Sequence, residues 1–414
     1  MQPRSFPGKN GGLRWNGENL PSTQPHYLET WCIVMQESRE SLRSGTGAEF
    51  LDIAPGSVKR VLIYRLGSLG DTIVTLPALH LVERTFPSAQ RLMLTNIPAH
   101  AKAAASSAIL NGSCLVHSYI SYPVGTRSIR GLARVWWQIR RFRPDLLVYL
   151  ASSRSEEMVR RDLRFFRLCG IRRIAGLPLG NLANNCYNSA TDLWEQEGAR
   201  LLRCLRPLGE ADANDLRNWD LRLTEAERAK AREVLAAAAG RQIVACGPGT
   251  KMQAKDWGQQ NWRALLDKLS AALPNHALVL VGAKEDAAAS KFAAAGWKST
   301  VLNLCGKLTP RETAAVLARA ELFVGPDSGP MHLAAISGVP CAIAFAARDY
   351  PGRWFPAGLG HRIVYHRVEC FHCRLEVCIE KKKDCLTSIT VEEMFAAAIG
   401  AWENGQRERT SRMA

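Results

Sequence analysis

The chain has 414 residues, 47% of them hydrophobic and 22% charged, which is the balance of a globular protein with room for two cored domains and not of a disordered or fibrous chain. Lys and Arg number 54 against 38 Asp and Glu, a formal net charge of +16 that directs attention to anionic partners. Apolar runs are strand-sized, as in Ala277–Val281, well short of the ~20 residues of a membrane span, and the N-terminus lacks a secretory pattern, so a cytoplasmic protein is expected.

Residues 1–57 are rich in Gly, Pro, Asn and Ser and are expected to form a flexible N-terminal extension, with one helix-compatible stretch at His26–Leu42. From Lys59 strand-like runs appear at Arg60–Tyr64, Arg91–Thr95, Leu115–Ile120, Asp145–Leu150 and Arg172–Ala175. Helical stretches such as Leu76–Phe86 and Ile129–Phe142 lie between them. Strand alternating with helix at this spacing predicts a parallel sheet covered on both faces.

Most of the positive charge sits in this half. Between Lys59 and Pro207 there are 22 Lys and Arg against 9 Asp and Glu, and 20 of the 22 are arginines. Arginine's planar fork suits phosphate and carboxylate. The charge by itself points to an anionic partner of one of three classes, nucleic acid, an acidic lipid surface or a phosphorylated substrate, with a merely solvated basic face as the alternative.

The pattern then repeats. Thr224 and Glu227 form a capping box at the start of an alanine-rich helix expected to end near Gly240. Strands are expected at Gln242–Gly247, His276–Gly282, Thr300–Leu304, Glu321–Gly325, Pro340–Phe345 and Arg362–His366. The predicted fold class is therefore α/β, with two doubly wound, Rossmann-like domains facing across a cleft. The expected division is 58–212, 213–397 and a polar tail at 398–414. Ligands of such sheets bind at the carboxyl ends of strands.

Three segments at strand ends carry chemistry. Tyr64–Leu79 contains Gly67 and Gly70 around Asp71; it is neither a G-x-G-x-x-G dinucleotide loop nor a Walker loop. Asp71 stands where a general base would, or where it would cap the next helix. Cys246–Trp257 offers a Gly/Pro turn with Thr250, Lys251 and Lys255, which suits phosphate. Glu285, after the strand that ends near Gly282, could take a ribose diol or simply begin a helix. Gly325–Ala335 reads as a strand end, a turn and a helix start. Asp327 is expected to cap that helix, and its free N–H groups and His332 make either an anion site or an ordinary capped helix with a buried histidine.

Taken together, Arg65-Leu-Gly-x-Leu-Gly-Asp71-x-x-x-Thr75-x-Pro77, Pro248-Gly-Thr-x4-Lys-x-Trp257 and Asp327-Ser-Gly-Pro-Met-His332 resemble glycosyltransferase family 9, the bacterial heptosyltransferases of lipopolysaccharide synthesis. The likeness covers residues 59 to about 397. It implies a GT-B fold and inverting transfer from a nucleotide-sugar, ADP-heptose in the family's usual case, with no cofactor required. It further implies that Asp71 deprotonates the acceptor and that Thr250, Lys251, Lys255, Asp327, Ser328, Gly329 and His332 hold the diphosphate. Ser68 and Gly70 fall on the donor side as well, Glu285 on the ribose and Leu308 near the adenine. Family acceptors are acidic glycolipids or phosphorylated oligosaccharides, which makes Arg127, Arg130, Arg154 and Arg160 candidates for acceptor contact. Arg160, Arg161, Arg164 and Arg167 repeat at helical spacing and could equally be a solvated face or face an anionic inner membrane.

The chain departs from the family at residues 1–57 and at Ala346–Trp354, where typical members carry a Gly-Pro-Thr-Asp-Pro-like turn. It also holds Cys370, Cys373, Cys378 and Cys385 within sixteen residues. These could hold structural zinc, or be free thiols or local disulfides. Two other functions fit parts of the sequence: transfer of a different nucleotide-hexose onto a surface glycan, and a basic nucleic-acid- or glycan-binding protein without catalysis. Nucleic acid is not the expected partner, because the basic half lacks an aromatic stacking pattern.

Overall fold

In the computed structural model the described residues are 55–413, apart from 98–103, 124, 127 and 153. Residues 1–54, with the helix-compatible stretch at 26–42, and Arg127 lie outside them.

The first sheet is built of β1 (Arg60–Tyr64), β2 (Gln90–Ile97), β3 (Ser118–Pro123), β4 (Leu146–Tyr149) and β5 (Ile174–Ala175). All pairings are parallel, in the order β3-β2-β1-β4-β5. Leu62 of β1 lies beside Leu92 on one side and Leu147 on the other. The central strands are buried without alternation, as strands covered by helices on both faces must be. Helices α1 (Leu69–Ile73), α2 (Leu76–Thr85), α3 (Ser106–Leu110), α4 (Ile129–Phe142), α5 (Glu156–Leu168) and α6 (Glu197–Cys204) follow in the chain.

The second sheet contains β8 (Gln242–Cys246), β9 (His276–Leu280), β10 (Val301–Asn303), β11 (Leu322–Pro326), β12 (Cys341–Ala344) and β13 (Arg362–Val364). It is again wholly parallel, in the order β10-β9-β8-β11-β12-β13. Its helices are α7 (Glu225–Val234), α8 (Gln259–Ala272), α9 (Ala287–Ala293), α10 (Pro310–Leu317), α11 (Gly329–Ile336), α12 (Asp384–Thr387) and α13 (Val391–Met413). The two doubly wound halves expected from the sequence are present.

Three local expectations change. β3 begins three residues later than the apolar run suggested: Leu115 and Val116 are buried before the strand starts, while the strand is a half-polar edge in which Ile120 alone is buried. The alanine-rich helix keeps its capping box, Thr224 N donating to Glu227 Oε2 at 2.7 Å, but ends at Val234 and continues as a short 3-10 turn. The expected tail at 398–414 is no separate segment. Helix α13 runs through that boundary and buries Met394, Ala398 and Ala401 in the core of the second sheet.

An antiparallel hairpin of β6 (Tyr187–Asn188) and β7 (Leu193–Trp194) was not foreseen. It joins the halves: Trp194 N donates to the Pro351 carbonyl at 2.8 Å, and the Trp194 ring stacks on Tyr350 at 4.5 Å, which stacks on His372 at 3.6 Å. A second junction is made by the buried Arg311 of α10. It donates to the carbonyls of Ile109, Leu221 and Arg222 and pairs with Glu227.

Candidate active site between the two sheets

In each sheet the strand order reverses at its first strand, between β1 and β4 and between β8 and β11. The loops leaving those strands part there and open a crevice at their carboxyl ends. Asp71 follows β1, the Thr250 turn follows β8 and Asp327 follows β11, so the three sequence motifs occupy the two switch points.

The turn after β1 needs a glycine. Gly67 has φ +138°, its N–H donates to Asn96 Oδ1 at 2.7 Å, and a side-chain carbon there would overlap Asp71. Asp71 is a helix cap and more. Its Oδ2 accepts from Ser68 N at 2.8 Å and from Ser68 Oγ at 3.1 Å. Its Oδ1 faces Arg65 Nη2 at 3.6 Å, and the side chain keeps 28% exposure. Capping therefore occupies one oxygen, while the other faces only the Arg65 guanidinium.

Arg65, at the end of β1, is wholly buried and donates from Nη1 to the Leu150 carbonyl at 2.6 Å. Its Nε and Nη2 have no hydrogen-bond partner within the protein. Burial pulls its pKa down, opposed by Asp71 and Glu197. Behind it Glu197 is buried with Arg200 at 2.7 Å and Arg353 at 3.5 Å, and these cations outweigh burial to hold its carboxyl below the usual range. Arg353 belongs to the unusual loop at 346–354, whose Tyr350 is held in the aromatic stack. The sequence marked Arg65 only as a motif letter and gave no sign of Glu197.

Across the crevice α11 presents its first turn. The expected cap fails: Ser328, not Asp327, holds the N-cap position, and its side chain makes no capping bond. Asp327 pairs instead with Lys255 Nζ at 2.5 Å, because the lysine reaches it from the turn after β8. Ser328 Oγ is buried and has no partner within the protein. Pro330 removes one donor, and Gly329 and Met331 N–H lie in the turn where helical partners are lacking. His332 is buried one turn in, and burial pushes its pKa down to about 4. A neutral imidazole at ordinary pH can orient a ligand but carries no charge.

The two elements touch. A side-chain carbon on Gly70 would lie 2.9 Å from His332 Cδ2, and one on Gly329 would lie 2.4 Å from Leu69 Cδ2. Lys251 Nζ donates to Ser68 Oγ at 2.8 Å, and Thr250 Oγ1 accepts from Met252 N at 3.3 Å. Thus Ser68, Gly70, Asp71, Lys251, Lys255, Asp327, Gly329 and His332 form one linked assembly.

The remaining expected residues stand apart from it. Glu285 is exposed on the 3-10 turn Lys284–Asp286. Its neighbour Asp286 is the buried one, with its carboxylate accepting from Ala283 N and lying against Gly249 and Gly282. Leu308 is half-buried beyond Gly306, where a side-chain carbon would overlap the Lys284 backbone. Arg154 pairs with Asp162 at 3.0 Å over the Tyr64 ring and lines a recess of about 480 Å³ with Asn184 and Arg374. Arg160 is exposed and paired with Glu156 at 2.6 Å; Arg130 is exposed in the first turn of α4.

Cys370, Cys373, Cys378 and Cys385 are unbridged thiols. Among the described residues no group of three or more His, Cys, Asp or Glu side chains is arranged to hold a metal ion. The loop they occupy braces the turn after β8: Cys378 N donates to Gln253 Oε1 at 2.8 Å, and Lys383 Nζ to the Asp256 carbonyl at 2.6 Å.

Residues 203–384 match the model of glycosyltransferase family 9 (heptosyltransferase). Lipopolysaccharide heptosyltransferase 3 of Escherichia coli is 32% identical over 120 residues, covering 29% of this chain and 35% of its own. Lipooligosaccharide heptosyltransferase 2 of Campylobacter jejuni is 27% identical over 104 residues, covering 25% of this chain and 33% of its own. The alignments thus span about a third of the length of these relatives. A family 9 glycosyl transferase from Veillonella parvula superposes with TM-score 0.65 at 16% identity, over 86% of this chain and 99% of that one. E. coli ADP-heptose LPS heptosyltransferase II superposes with TM-score 0.56 at 16% identity, over 84% and 99%. The chain has the GT-B fold of these structures.

Proposed function

We propose, from the premise that residues 203–384 carry a glycosyltransferase family 9 domain, that the protein is an inverting glycosyltransferase moving a heptose or related sugar from an ADP-sugar to a lipopolysaccharide-core or similar glycan. The half at 58–212 receives the acceptor and the half at 213–397 the donor. Asp71 takes the proton of the acceptor hydroxyl as its oxygen attacks the anomeric carbon. The bond to the diphosphate breaks on the opposite face, and the electron pair leaves with the nucleoside diphosphate.

The observation that carries this reading is the contact between Asp71's turn and the first turn of α11. The turn that holds the Asp71 carboxylate, one of whose oxygens meets only Arg65, packs on a helix start that has an unpartnered serine hydroxyl and two lysines beside it. Charge grows on the diphosphate as it departs, and groups aimed there lower the barrier. Lys251, Lys255 and the α11 N-terminus take the part a divalent ion plays in related chemistry, so the scheme needs no metal. Arg154, which lines a recess in the half that receives the acceptor, is then the candidate for contact with an anionic acceptor.

Two measurements test it. A thermal-shift titration with ADP-, GDP- and UDP-sugars should favour ADP, since a ligand at a hundred times its dissociation constant stabilises by about 2.7 kcal/mol. Preference for UDP would sink the donor assignment. Asp71→Asn should then lower transfer by roughly 10²–10⁴-fold with donor affinity kept, the contribution typical of a general base. Full activity in that variant would remove Asp71 from the chemistry.

A further inference from the structure

Helix α4 has a composition that its place in the fold does not explain. Its sequence, IRGLARVWWQIRRF, contains no acidic residue. Only Val135 and Ile139 are buried against the sheet. Ile129 is 83% exposed, Leu132 37%, Trp136 40% and Trp137 54%. Single exposed apolar residues are ordinary, but several on one helix mark a surface that meets something.

The arrangement is ordered. Ile129, Leu132 and Trp136 recur at i, i+3 and i+7 and share one flank, with the Arg140 guanidinium 5.8 Å from the Trp136 ring, while Arg130, Arg134 and Arg141 recur at i, i+4 and i+11 on the other. Trp137 lies between the flanks, with the Arg141 guanidinium 5.4 Å from its ring. The apolar flank continues onto α5, where Trp136 Nε1 donates to the carbonyl of Leu168, itself 72% exposed. On α5, Glu156 pairs with Arg160, and Asp162 with Arg154 and Arg161.

We infer that the outer face of α4, with the end of α5, lies on an anionic lipid bilayer. Tryptophan and aliphatic side chains gain by entering the headgroup boundary, and arginines by meeting lipid phosphate. A nucleic acid would use the arginines and leave Ile129, Leu132 and Leu168 in water, so it fits less of the face. The face runs along α4 to the last residue of α5, and the lipid contact does not rest on the transferase reading.

The test is flotation of the full chain with vesicles of phosphatidylcholine alone and with added phosphatidylglycerol, at low and high salt. Binding should need the anionic lipid and weaken with salt. Each arginine near such a surface is worth roughly a fivefold factor, so Arg134→Glu with Arg141→Glu should cost at least about 25-fold. Trp136→Ala with Trp137→Ala should reduce binding several-fold and persist as a loss at high salt. Both pairs should retain the native melting temperature and ADP-sugar shift. Equal binding to neutral vesicles, no binding, unaltered binding by both pairs, or tighter binding of RNA through the same arginines would each overturn the inference. Lost vesicle binding with transfer intact fails this inference alone; lost nucleotide-sugar binding with vesicle binding intact fails the transferase reading alone.

Discussion

Lys251 Nζ and Ser68 Oγ meet at 2.8 Å, although 183 residues separate them. Ser68 also donates to Asp71 Oδ2 from both N and Oγ. A cation from the turn after β8 and the carboxylate after β1 therefore share one hydroxyl. On the proposed transferase reading, a diphosphate entering the cleft exchanges these internal partners for its own oxygens. Lys251→Ala should weaken ADP binding by about tenfold or more, given ~1.5–3 kcal/mol for a hydrogen bond to a charged group. Calorimetric titration would read it; unchanged affinity would place Lys251 outside the site.

Gly70 and His332 fix how closely the two elements approach. In Gly70→Ala the new methyl would stand 2.9 Å from the imidazole, and the buried ring has little room to retreat. Overpacking of this kind costs about 1–3 kcal/mol. The urea midpoint and the transfer rate should both fall. Native stability in Gly70→Ala would mean that the two turns do not touch in solution.

Stability should be sensitive to acid. Burial holds His332 neutral down to about 4, and it lowers His80, His276 and His361 in the same direction. In the unfolded chain these groups protonate near ~6.5. Between those values the unfolded state binds more protons, so stability falls as pH drops from about 6.5 towards 4 and is flat above. Urea midpoints across that range should show the slope, and His332→Gln should reduce it. An unchanged slope in that variant would mean that His332 is not buried in the folded state.

Arg311 is the buried cation of the second junction between the halves. Glu227 balances it, with Nε–Oε1 at 2.5 Å, while three carbonyls take its other donors. Removing one partner of a buried pair costs about 3–5 kcal/mol. Glu227→Ala should therefore destabilise the protein far more than the exposed-pair change Glu156→Ala, where ~0–1 kcal/mol is expected. Equal effects in denaturant titrations would contradict the burial.

The order of elements, the two parallel sheets and the three motifs were legible in the sequence, because each is written in local patterns. Buried runs mark central strands, capping boxes mark helix starts, and a glycine with φ +138° at Gly67 marks a turn that other residues would strain. Boundaries were less secure at β3, an edge strand without an apolar run, and at α13, whose polar outer face hid Ala398 and Ala401.

Partnerships were another matter. That Asp327 goes to Lys255 rather than to its own helix, that Arg65 stands behind Asp71, and that Trp194, Tyr350 and His372 stack in a column follow from packing between distant segments. Hydrogen bonds and ion pairs form with whatever group the fold brings within reach, and no short-range periodicity records that choice. The sequence by itself determined which residues stand at the strand ends; only the tertiary structure decided which of them face one another, because that depends on how two separately wound sheets are held across the cleft.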